Sequence, residues 1–469
     1  MDLTDLAFTP ALDQARLVRQ KQVSPLELTE LYLERIDQLN PRLGSYFTVL
    51  GDQARADAAA KTERLMQGDE EPLPPFFGVP ISIKDLTPLA GVPCTYGIWA
   101  LRDRLADASA GVVERIQQAG FVILGKTATS ELGAAPYTEP RGFPPARNPW
   151  NVDYTPGGSS GGAAAAVAAG LCAVAQGSDG GGSIRGPASC CGLVGIKPSR
   201  GRVSHAPVGD KLSGLATDGP LARTVADAAA LLDVMAGPVL GDPYWLPLPE
   251  RPFLEATQAS LKPLRIGYIT HFAPLGDCDP PCTQAVMETV QRLEDMGHRA
   301  EPVDLDFTDL VEPLITVWQA GVDMGVPWVV MGRLNRWLLR RSRRNSGGAY
   351  LRAVMQVQAF ARTLVVKTQP YDVLVLPVYM HPTIRIGEWS RLRTGQLFEN
   401  IVRWVAPCPP FNATGQPAIA LPTGFTPNGL PIGVQLVGQP TDEQTLITLA
   451  AHLEAAYPWS HHRPSLVQP

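Results

Sequence analysis

Several features that would assign this chain to other classes are missing from it. No stretch of about 20 uncharged apolar residues occurs, the length a membrane-crossing helix requires. Ala163–Val174 is apolar but too short, and Gln176 and Asp179 follow it. The start, MDLTDLAFTPALDQARLVRQKQVS, lacks a basic segment leading to an apolar core and cleavage site, so no signal peptide is expected. Basic charge is not in excess: the net charge of −5 gives no steering towards nucleic acid or an anionic membrane. The run Arg340, Arg341, Arg343, Arg344 therefore reads as a solvated helix end. Histidine is scarce, at seven residues: His205, His271, His298, His381, His452, His461 and His462. None sits in a recognisable triad motif, which argues against Ser–His–Asp chemistry. The seven cysteines are an odd number and scattered; Cys278 and Cys282 alone approach a metal-like spacing, with no second Cys/His pair nearby. Buried thiols in a reducing cytoplasm are the expectation, with no metal and no cofactor.

What is present is a pair of serines in glycine-rich settings. GGSSGG at 157–162 holds Ser159, and SDGGGSIRGPA at 178–188 holds Ser183. Glycines let a serine sit in a tight turn with its hydroxyl presented. Their unobstructed N–H groups can also converge on a developing oxyanion. A flexible linker is the plainer reading of such tracts. It fails here, because Ala163–Ala175 is apolar helix former almost throughout and Ile184, Leu193, Val194 and Ile196 follow closely.

These segments, with GLVGIKPS at 192–199 and PISIKDL at 80–86, resemble the amidase signature family. GKTATSELG (125–133), RNPWN (147–151), FNATGQPAIALP (411–422) and GLPIGVQLVG (429–438) fit as well, so the resemblance runs over most of the chain and is weakest between about 240 and 370. The resemblance implies hydrolysis of a carbon–nitrogen bond by a Ser–cis-Ser–Lys triad. Ser183 would be the nucleophile, Ser159 the proton relay after a cis Gly158–Ser159 bond, and Lys84 the general base. For Lys84 to act it must be neutral, and the apolar Val79, Pro80, Ile81, Ile83 and Leu86 around it point to the burial that achieves this.

Gly180, Gly181 and Gly182, with the Ser183 N–H, are the expected oxyanion hole. The family usually has another residue where this chain has Gly180. Asp179 and Arg185 read as a pair bracing the glycine loop rather than as acid or base, and Asp85 as an electrostatic partner beside Lys84. Ser160 either helps to hold Lys84 or satisfies backbone. Gly133, Ala134 and Tyr137, near the family's acyl-pocket loop, are mostly small and would leave room for a bulky or elongated acyl group. Trp318, Trp328 and Trp337 recur at helical spacing and read as core before pocket.

The expected architecture is α/β, an amidase signature fold with a large twisted mixed sheet flanked by helices on both faces. A single domain over 1–469 is expected, with N-terminal helices at 9–66, a catalytic core at about 70–235, a variable pocket lobe at about 240–400 and a return to the core at 405–457. Periodicity places helices at 9–23, 25–39, 54–66, 111–119, 163–175, 224–235, 283–296 and 443–456, and strands at 79–83, 122–124, 264–269, 373–377, 419–422 and 432–437. A proline-rich connector fills 238–252, and the tail is expected to be poorly ordered.

The function so implied is hydrolysis of a small-molecule carboxylic amide to acid plus ammonia or amine, without nucleic acid or membrane, and with a homodimer as one possible assembly. The alternative within the family is the glutaminase subunit of a tRNA-dependent amidotransferase. That subunit usually carries a MDEFAMGSS-like segment, whereas this chain reads TSELGAAPYTEP from Thr129 to Pro140. The C-terminal half is similar to the bacterial amidases that include 6-aminohexanoate cyclic-dimer hydrolases. A catalytically dead homologue is a third reading, disfavoured because every triad residue is present.

Overall fold

The computed structural model describes residues 3–67 and 72–467. Its strands, in chain order, begin with β1 (Tyr46–Val49), β2 (Pro80–Lys84), β3 (Val122–Thr127) and β4 (Val174–Asp179). They continue with β5 (Val194–Lys197), β6 (Thr217–Ala222), β7 (Arg265–Tyr268), β8 (His271–Phe272) and β9 (Gly276–Asp277). The last are β10 (Arg299–Pro302), β11 (Val373–Pro377), β12 (Ala418–Phe425) and β13 (Pro431–Gly438). All but the small β8–β9 ribbon join one sheet in the order β1-β3-β2-β4-β6-β5-β12-β13-β11-β7-β10. The sheet is mixed: β2 runs parallel to both β3 and β4, whereas β4–β6 and β12–β13 are antiparallel. Helices flank it, such as Val225–Met235 against β5 and β6 and Glu443–Ala456 against β12 and β13.

Strands β2, β3, β5, β6, β11 and β13 are buried along their whole length, and Ile81, Ile83, Val122, Val174, Ile196 and Val434 lie in the continuous core. Runs of apolar residue without alternation are what a sheet covered on both faces demands. The N-terminal region follows its local signals. Ser24 caps helix Pro25–Leu43 through a reciprocal capping box with Glu27, and proline occupies the first turn. This helix outruns the expected end at 39 and stops at Gly44 in the left-handed region.

The helix expected over 163–175 is Gly161–Ala168. Gly170, at φ +64°, ends it in a Schellman turn: its N–H bonds to Val167 O at 3.2 Å and the Leu171 N–H to Ala166 O at 2.8 Å. The chain then enters β4, so the second half of that apolar run belongs to the sheet. Strand β6, TDGPLA, was not foreseen, because glycine and proline in mid-segment argue against a strand from sequence. The tail is better held than expected: Trp459 Nε1 donates to Arg223 O at 3.2 Å and Val467 is buried.

Helices Thr308–Ala320, Arg333–Ser342, Gly347–Thr368 and Thr394–Val405 pack on one another, the first against the second and third, and the second against the fourth. They carry two small apolar cores of their own, one around Leu310, Val317 and Val357, the other around Val322, Leu338 and Phe398. Arg340, Arg341, Arg343 and Arg344 are exposed at the end of the second of these helices.

Candidate active site

Strand β2 delivers Lys84 at its C-terminal end, where the residue is fully buried. Its neighbour β4 presents Gln176 and Ser178 to it, two residues apart and so on one face of the strand. Gln176 Oε1 accepts the Lys84 backbone N–H at 3.0 Å. The Lys84 Nζ lies 3.1 Å from Ser178 O, 2.9 Å from Ser178 Oγ and 2.7 Å from Ser159 Oγ. Burial pushes the amine down to about 7; the buried carboxylates of Asp218 and Asp179 oppose that fall, and Lys211 adds to it. A neutral amine has two N–H donors and one lone pair. With Ser178 O and Oγ as the acceptors, the lone pair is left for the Ser159 hydroxyl.

Ser159 lies just before helix Gly161–Ala168, after a cis Gly158–Ser159 peptide bond. Backbone packs so closely here that a Cβ on Gly158 would sit 2.6 Å from Tyr137 N and 2.7 Å from Pro136 C, which only glycine avoids. Ser160 turns the other way. Its hydroxyl donates to Ser178 O at 3.2 Å and faces the Ser178 N–H at 3.4 Å, the backbone role rather than a hold on Lys84.

The loop from β4 to helix Arg185–Cys191 carries Ser183, which borders a cavity. The Asp179 carboxylate organises this loop. It accepts the N–H groups of Gly182 at 2.7 Å and Ile184 at 3.1 Å, and the Arg185 guanidinium through Nε and Nη2, both at 3.0 Å. Burial alone would raise this carboxyl, but Arg185 and Asn412 hold it well below the usual carboxylate range. Arg185 in turn donates to Cys408 O at 3.0 Å, Gln435 Oε1 at 2.8 Å and Asn412 Oδ1 at 2.6 Å. The oxyanion expectation needs one correction. The Gly182 N–H is already committed to Asp179, whereas those of Gly180, Gly181 and Ser183 have no acceptor among the described residues.

Asp85 bonds to Lys126 at 3.0 Å and to the N–H and hydroxyl of Thr95, all buried. Burial raises its carboxyl, and Lys126 and Thr95 oppose that rise.

Gly133 and Ala134 border both cavities at Ser183. Tyr137 does not. Its ring meets Trp389 edge-on at 5.8 Å and lines a separate cavity with Glu131, Glu139 and Arg141. The tryptophans divide: Trp318 lines both cavities beside Ser183, Trp337 packs on Phe398 at 5.3 Å, and Trp328 is half exposed. Among the described residues no group of three or more His, Cys, Asp or Glu could hold a metal ion, and no helix is long and apolar enough to cross a membrane. The cysteines are buried free thiols.

Sequence reasoning missed Ser178, Asp218, Asn412 and Gln435. Ser178 and Asn412 lie inside motifs already singled out, and the two-residue step from Gln176 to Ser178 was the available signal once β4 was recognised as a strand.

The family model for amidases matches residues 27–447. The chain belongs to the amidase family. It is 50% identical over 454 residues to a Synechocystis sp. protein named an amidase by inference, covering 96% of this chain and 89% of that one. It is 36% identical over 499 residues to the 6-aminohexanoate-cyclic-dimer hydrolase of Pseudomonas sp., covering 100% and 99%. The fold superposes on a 6-aminohexanoate cyclic dimer hydrolase solved with its substrate, with a TM-score of 0.91, 33% identity and 100% of both chains covered. The amidase sheet and its flanking helices are therefore shared along the entire chain, and the enzyme is a carbon–nitrogen hydrolase.

Proposed function

We propose that this amidase cleaves a carboxylic amide through an acyl-enzyme on Ser183. The observation that carries the reading is the Lys84–Ser159 pair, a buried amine at about 7 lying 2.7 Å from a serine hydroxyl. Ser183 Oγ attacks the carbonyl carbon, its proton passing to Ser159 Oγ while the Ser159 proton passes to Lys84 Nζ. The oxyanion that forms is met by free N–H groups of the 180–183 loop. The C–N bond then breaks, the nitrogen takes its proton from Ser159, and Ser159 is restored by Lys84. Water cleaves the acyl ester by the same route, releasing the acid and returning Ser183 to its starting state. Every proton donated is recovered, and no further reactant is consumed.

A fluorophosphonate that labels serine nucleophiles tests the assignment. Stoichiometric labelling located at Ser183, with loss of amide hydrolysis in Ser183→Ala, is the expected result. Unchanged turnover in a clean preparation of that variant would sink it. Glutamine as the sole amide turned over would favour the amidotransferase subunit instead.

A further inference from the structure

Asp218 is buried beside the base and takes no part in the proton transfers described above. On β6 it stands directly across from Ser178 of β4, the residue that meets the Lys84 amine. Its Oδ1 accepts Gln176 Nε2 at 3.1 Å, and Gln176 in turn accepts the Lys84 backbone N–H. A full negative charge fixed at this place favours the ammonium form of Lys84, which cannot take a proton.

A counter-charge comes from seven residues earlier. Lys211 Nζ lies 3.0 Å from Asp218 Oδ2, and His205 Nδ1 faces the same oxygen at 3.3 Å while its Nε2 is 3.0 Å from Ala216 O. Both residues belong to the segment 205–216 between β5 and β6, which borders the chamber of about 540 Å³ at Ser159 and Ser183. Arg200 Nε holds the segment through Gly214 O at 2.6 Å, and Leu212 leans on the nucleophile loop, 3.4 Å from where a Cβ on Gly180 would lie. The other two buried acids near Lys84 have cations built into regular structure: Asp179 pairs with Arg185 at the start of a helix and Asp85 with Lys126 of β3. Asp218 differs, since its cation reaches in from a loop with its side chain 29% exposed.

We propose that Lys211 is a positioning residue for the base: its ammonium, delivered by the 205–216 segment, neutralises Asp218 and so keeps Lys84 free to accept the Ser159 proton. This rests on the role of Lys84 given above.

The pH dependence of fluorophosphonate labelling at Ser183 tests it without a known substrate. In the full-length protein the labelling rate should rise with pH through about 7, as Lys84 loses its proton. Lys211→Met should move the midpoint of that rise upward by about half a pH unit, measured against the variant's own plateau, which is about a threefold loss of rate below the midpoint. Lys211→Arg should keep the wild-type midpoint. Lys211→Met combined with Asp218→Asn removes both charges and should bring the midpoint back towards wild type. A midpoint unmoved in Lys211→Met overturns the proposal while leaving the hydrolase intact. So does a midpoint raised equally in Lys211→Arg or in the double variant, because the effect would then be one of packing and not of charge. A rise that persists in Lys84→Ala overturns the base assignment and this proposal with it. Absence of labelling at every pH would instead remove the hydrolase reading on which both stand.

Discussion

Ser178 meets the Lys84 amine twice, through its carbonyl oxygen at 3.1 Å and its hydroxyl at 2.9 Å. Together these acceptors occupy both N–H groups of a neutral amine and fix the direction of its lone pair. Ser178→Ala should therefore lower kcat by about threefold to tenfold, the worth of one net hydrogen bond, with KM little changed. Steady-state kinetics measures this, and Ser178→Thr should restore most of the loss. A change confined to KM would show that Ser178 acts on substrate rather than on Lys84.

The pH profile follows from Lys84. A base is active only when unprotonated, so kcat/KM should climb with pH through about 7 and level off above it. Lys84→Ala should remove that acidic limb and cost about 10²–10⁴-fold in rate. A limb that survives in the variant would assign the titration to another group.

The Asp179–Arg185 pair is completely buried. Asp179→Asn keeps the shape but leaves the guanidinium without its counter-charge, and the cost should be about 3–5 kcal/mol. Urea denaturation measures the loss. Because Asp179 also accepts the Gly182 and Ile184 N–H groups, serine labelling should slow as well.

Lys197 is a second buried amine, bonded only to Pro198 O at 3.0 Å among the described residues. Burial, reinforced by Arg185 and opposed by Asp179, pushes it down from 10.5 to about 7. Between those values the unfolded chain holds a proton that the folded chain has released, so stability rises with pH across the window. Lys197→Met should flatten the rise of Tm with pH there and raise Tm most at pH 6. Calorimetry of both proteins from pH 6 to 10 decides it. An unchanged slope would place the proton elsewhere.

The triad assignment came from motif resemblance: the sequence alone showed two serines among glycines and a lysine in an apolar strand, and the structure brings Lys84 Nζ to Ser159 Oγ and opens Ser183 onto the same chamber. Interactions between distant segments were not legible. Nothing local marks Asn412 as a partner of Asp179, since its role exists only once helix Pro409–Thr414 lies against the glycine loop. Tyr137 was misassigned because one rotation of the chain after Pro136 decides which cavity a ring enters. Trp318 was read as core because helical spacing reports a buried face, and a pocket wall is a buried face with one side empty. Strand β6 was hidden by residues chosen for close packing rather than for strand propensity.

The anchors of the Ser183 loop lie near the far end of the chain: Arg185 is held by Cys408, Asn412 and Gln435, more than two hundred residues after it. A ribosome-bound chain that has emerged only as far as residue 400 already contains Lys84, Ser159 and Ser183, yet lacks the struts that brace the Ser183 turn. The turn that carries Ser183 therefore takes its shape only after the chain has passed residue 435 and folded back against it.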